Sequence, residues 1–174
     1  MPATYQLISS NTLSSAAASV TFSSIPATYT DLVLRLSARS SNAGRNDVVN
    51  MEFNANSSAL YSTTILYGQG GGSFGSLRNS NATYTRIGYY ISGDTTTSST
   101  FGSQEFYIPN YTASQNKAIS GFGVSENNAT VQDLAVTAGL FRDTTAISSI
   151  KLTLLTGPNF MSGSSFFLYG IKNS

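Results

Sequence analysis

In the segment SSIPATYTDLVLRLSARSS, residues 23–41, Leu32, Leu34, Leu36 and Ala38 alternate with Val33, Arg35, Ser37 and Arg39. A period of two sends successive side chains to opposite faces, so this is a β-strand with one face on a core and one toward something polar. The same period recurs along the chain. It predicts strands at 4–8, 18–23, 31–39, 48–54, 63–67, 83–91, 103–108, 118–125, 131–141, 148–155 and 165–171. Three of these alternate clearly: Met51 and Phe53 against Asn50 and Glu52; Leu134, Val136, Ala138 and Leu140 against Ala135 and Thr137; Ile150, Leu152 and Leu154 against Lys151 and Thr153.

Between the strands lie clusters of Ser, Thr, Asn and Gly such as SSNAGRND, SGDTTTSST and SENNAT, which read as turns. Pro26 and Pro109 each end a strand, because proline has no N–H for a ladder. The one helical candidate, TLSSAAASV, is too short and too rich in serine to hold a helix. About ten short strands, spaced roughly 8–12 residues apart, predict an all-β, antiparallel β-sandwich, jelly-roll-like rather than immunoglobulin-like. No linker, charge block or repeat divides the chain, so residues 1–174 are expected to form a single domain.

Composition narrows the function. Only 10% of residues are charged and the net charge is +1. No large field exists to hold nucleic acid or an anionic membrane, so neither is an expected partner. Cysteine and histidine are absent. That removes disulfides, thiolate nucleophiles, the commonest metal ligand and the commonest general base at neutral pH. No basic start with an apolar run follows Met1, and no window of about 18 apolar residues offers a membrane span. The Asn-X-Ser/Thr sequons at Asn56, Asn81, Asn110 and Asn128 are what chance gives in a chain this rich in those residues.

The remaining chemistry is thin. YGQGGGSFGS, residues 67–76, lacks the Gly-Lys-Ser/Thr ending of a phosphate loop and reads as a mobile connection, with Phe74 as an apolar group to insert into a neighbour. Glu52 and Glu105 sit mid-strand and could pair across a sheet as a glycosidase pair does, or bond arginine instead. No catalytic, cofactor or metal residues are assigned, and no enzyme activity is expected. Arg35 and Arg39 share a strand face, with Arg45 in the loop beyond. Arginine is enriched at protein interfaces, so these three are candidate contact residues. Tyr5 and Leu7 lie in an N-terminal segment, residues 3–8, expected to be an edge strand or arm that reaches a neighbour. Doubled apolar pairs (Tyr89-Tyr90, Leu140-Phe141, Leu154-Leu155 and Phe166-Phe167) put a large apolar group on the outer face of several strands. A covered outer face, and hence an oligomer, is the simplest expectation.

FSSIPATYTDLVLRLSARSS, EFYIPNYTASQNKAISGFGVSENNAT and the C-terminal SSFFLYGIKNS resemble small β-rich virion proteins of tailed bacteriophages, particularly those of aquatic bacteria and cyanobacteria. The resemblance runs from about Tyr5 to the last residue. It implies a capsid cement (decoration) protein, a homotrimer on the virion's capsid surface that binds the major capsid protein and bridges its neighbouring subunits. The alternative is a tail-fibre or receptor-binding module for host surface carbohydrate, for which Tyr67, Tyr84, Tyr89 and Asn110 are the candidate residues.

Overall fold

The computed structural model describes residues 4–128 and 132–172, with the backbone alone at 88 and 89. Ala3 and Val131, expected ends of two strands, and Thr130 of the last sequon lie outside the described residues. The described chain contains β1 (Tyr5–Thr12), β2 (Ser19–Phe22), β3 (Asp31–Ala38), β4 (Asn46–Phe53), β5 (Tyr61–Gln69) and β6 (Phe74–Ala82). It continues with β7 (Thr85–Ser92), β8 (Gly102–Ile108), β9 (Lys117–Val124), β10 (Asp133–Phe141), β11 (Ile150–Leu154) and β12 (Ser165–Ile171).

These strands form two antiparallel sheets, β1-β12-β3-β8-β9-β10-β5-β6 and β2-β11-β4-β7. Setting aside β5, β6, β9 and β10 leaves β1-β12-β3-β8 facing β2-β11-β4-β7. That nested order is a chain doubled on itself and rolled up, the jelly roll that the strand count predicted. Two inserted hairpins, β5–β6 and β9–β10, then pair with each other through β10 and β5 and double the width of the first sheet. β7 packs across β8, β9, β10 and β5, so the small sheet covers part of the extension.

The core lies between the sheets. Leu32, Leu34, Leu36, Phe106, Phe166 and Leu168 enter it from the large sheet, and Val20, Phe22, Val49, Met51, Phe53 and Leu152 from the small one. At the end nearest the inserted hairpins, Tyr61 stacks on Phe141 at 4.6 Å and Phe53 lies 5.4 Å from the same ring. The Tyr61 hydroxyl accepts from the Phe53 N–H at 2.9 Å and reaches the Asn56 carbonyl at 2.9 Å. Burial pushes that phenol up to about 12.

β6 is absent from the strands read in the sequence. FGSLRNSNA has no apolar alternation because it is an edge strand with one neighbour and no residue fully buried. The expected glycine loop is correspondingly short. Gly72, at φ 86°, turns the chain, while the Gln69 N–H donates to the Ser73 carbonyl at 2.7 Å. Phe74 therefore begins a strand and is not a loop residue.

Candidate interaction surface

The outer face of the eight-stranded sheet carries one continuous cross-strand row. Running from β6 to β12, it reads Ser76, Leu66, Val136, Phe122, Glu105, Arg35 and Phe167. A parallel row two residues away places Gly68, Leu134, Val124, Ser103, Ser37 and Ser165 side by side. One half of the face, on β5, β10 and β9, is thus an apolar field. Leu66 is 60% exposed, Leu134 56%, Val136 55%, Phe122 54% and Val124 42%.

This field inverts the sequence pattern. On β10 the larger residues Leu134 and Val136 point to solvent, and Ala135 and Thr137 point inward. On β9, Phe122 and Val124 are outside and Gly121 and Gly123 inside. The inner positions are small because neighbouring atoms crowd them. A Cβ on Gly121 would fall against Phe106 and the Glu105 carbonyl, and one on Gly139 would stand 2.9 Å from Thr85. A strand that alternates Gly, Ala or Thr with Leu, Val or Phe is the signal available in the sequence, and here the bulky set faces solvent.

The other half of the face is built around Arg35. Its Nε donates to Glu105 Oε2 at 2.5 Å, and its guanidinium lies 5.6 Å from the centroids of both Tyr5 and Tyr169. Tyr5 meets Tyr169 edge-on at 6.4 Å, and Phe167 stacks on Tyr169 at 6.5 Å. A groove of about 370 Å³ opens here, lined by Arg35, Glu105, Phe122 and Phe167 with Ser37, Ser103 and Ser165. The arginine is held by a carboxylate and two rings and still keeps half its side-chain surface in solvent.

Tyr5 (46% exposed) and Leu7 (54%) lie on β1, an edge of the large sheet, as expected of an edge strand. Phe74 is 89% exposed at the head of β6, beside the apolar field and opposite Gly68. Arg39 departs from the expectation of a shared face with Arg35. Regular pairing of β3 ends at Ala38, and Arg39 turns into the molecule at 6% exposure. Its guanidinium donates to the carbonyls of Asp94, Thr96, Thr97 and Thr100 and to Thr96 Oγ1, all within 3.1 Å. It therefore pins the loop before β8 and is buried away from the outer face. Arg45 is half-buried and lies 3.6 Å from Asp133, away from the Arg35 face. Asp133 itself is enclosed, and burial raises its carboxyl above the usual range despite the hydrogen bond from Asn46 at 2.9 Å.

Glu52 and Glu105 do not meet. Glu52 is on β4 opposite Lys151 in the small sheet, whereas Glu105 bonds Arg35 in the large one. Among the described residues, no three His, Cys, Asp or Glu side chains gather where a metal ion could be held. The residues expected to bind carbohydrate do not converge either. Tyr67 pairs with Gly75 at one end of the β5–β6 hairpin, and Tyr84 follows Ala82 at the other. At about 3.4 Å per residue the two ends are roughly 20 Å apart. Asn110 sits in the turn after β8, its N–H donating to Asp31 at 2.8 Å, and the Tyr89 side chain lies outside the description.

Comparison with protein-family models, with curated proteins and with solved structures gives no match for this chain.

Proposed function

We propose that this chain is a capsid cement protein that binds the outside of a mature phage shell and bridges neighbouring major capsid protein subunits as a homotrimer. The observation that carries the reading is the exposed apolar field of Leu66, Phe122, Val124, Leu134 and Val136. Five large apolar side chains on three adjacent strands make a contiguous patch, which soluble surfaces generally reserve for a partner. The resemblance of the chain to phage virion proteins supports a shell as that partner. The low charge fits a surface that docks by shape and apolar burial rather than by long-range attraction.

On this reading the work is done by binding and involves no catalysis. A subunit that fits only the mature shell geometry stabilises that geometry by mass action. Many copies, each bridging adjacent subunits, add modest contacts into a strong lattice. A cryo-EM map of the parent particle is the test. Density for this fold at many equivalent positions on the shell, with the apolar field turned inward, supports the reading. Density confined to the tail overturns it and favours the tail-fibre alternative.

A further inference from the structure

The groove around Arg35 differs in chemistry from the apolar field beside it. Its floor is a row of hydroxyls, since Ser165, Ser37 and Ser103 are directly opposite one another on β12, β3 and β8. Its centre is the Arg35–Glu105 pair, and an aromatic ring stands at each side, Phe167 on β12 and Phe122 on β9. At about 370 Å³ it lies at the small end of the range, roughly 300–1,000 Å³, of ligand sites.

We infer that this groove binds a neutral saccharide. The ion pair disfavours simple ionic ligands, because an anion reaching Arg35 meets Glu105 and a cation reaching Glu105 meets Arg35. An apolar side chain seated there would strip water from both charges without replacing their hydrogen bonds, which is costly. A sugar offers what each element needs. Its C–H face lies on an aromatic ring, and its hydroxyls donate to Glu105, accept from Arg35 and exchange with the serines. The guanidinium is already fixed by Glu105, Tyr5 and Tyr169, so little side-chain freedom is lost on binding. This site is not the tyrosine set expected from the sequence, and it does not rest on the capsid reading.

The test is saturation-transfer NMR and calorimetry on the isolated chain with four probes: cellohexaose, maltohexaose, mannohexaose and the acidic polymer alginate. At least one neutral hexasaccharide is expected to bind saturably, with alginate weaker. Phe167→Ala and the isosteric Glu105→Gln are each expected to weaken that binding about tenfold or more. Leu66→Ser, on the other half of the face, is expected to leave it unchanged. Melting curves report folding, and Ser37→Val serves as a second groove variant should Glu105→Gln melt early. No binding of any neutral probe at millimolar concentration, stronger binding of alginate, or binding indifferent to every groove variant overturns the inference. So does loss of shell docking in Phe167→Ala without loss of saccharide binding, which assigns the groove to a protein partner.

Discussion

Val136 on β10 faces Leu66 on β5 across one rung of the outer sheet face, and both side chains are more than half exposed. Neither contributes to the buried core, so replacing both should leave the fold intact. Leu66→Glu with Val136→Lys installs an opposite-charge cross-strand pair in their place. We expect stability within about 0.5 kcal/mol of the parent and unchanged self-association, since this field is the one turned to the shell. Urea denaturation and sedimentation velocity measure the two. A parent chain that is monomeric at every concentration would remove the homotrimer from the account.

The two arginines of β3 and its end should separate in the same assay. Arg35 is half exposed and its bond to Glu105 is a surface pair, so Arg35→Ala should cost under about 1 kcal/mol. Arg39→Ala leaves four loop carbonyls without their donor in a buried setting and should cost roughly 3 kcal/mol. Limited proteolysis should then cut first within residues 94–100. Equal losses for the two substitutions would mean that Arg39 does not organise this loop.

Tyr61 gives the fold an alkaline limit. Its phenol titrates near 12 in the folded chain and near 10 when unfolded. The raised folded value means that the stabilisation is complete below about pH 10 and is lost as pH climbs toward 12. Spectrophotometric titration should show a late tyrosine step as the chain unfolds, and Tyr61→Phe should shrink it, leaving the share of Tyr107 and Tyr111, whose phenols are raised as well.

Gly121 tests the inverted alternation of β9. A methyl group there would overlap Phe106 and the Glu105 carbonyl, the latter a backbone atom that cannot rotate away. Gly121→Ala should cost about 2 kcal/mol or more, read as a lowered melting temperature. A neutral result would show that β8 and β9 can part without penalty.

The fold was legible where burial is one-sided and the core residues are large. Leu32, Leu34 and Leu36 read correctly because the small sheet faces them with room for leucine. Regular alternation along the other strands gave the sandwich, and the strand count gave the jelly roll. Reading failed where packing distance outranked hydrophobicity. At Gly121 and Gly123 on β9 and at Ala135 and Thr137 on β10 the inner positions are small, and the bulky residues of the same stretches turn outward and mimic a core. β6 escaped notice because an edge strand needs no apolar pattern to pair. Arg39 shows the limit of extending a period past the end of a strand, since its side chain follows the carbonyls of the loop 94–100. Tyr5, Leu7, Phe74 and Arg35 could be flagged from type and position, but that Phe74 joins the other three on one sheet depends on the insertion of two hairpins that no local pattern announces.

The most direct measurement of the central claim is occupancy on purified shells stripped of this chain, counted by quantitative mass spectrometry after adding it back. The parent chain should rebind at on the order of hundreds of copies per particle, and the Leu66→Glu, Val136→Lys variant should not rebind. Equal occupancy by the folded variant would contradict the assignment of this face as the docking surface.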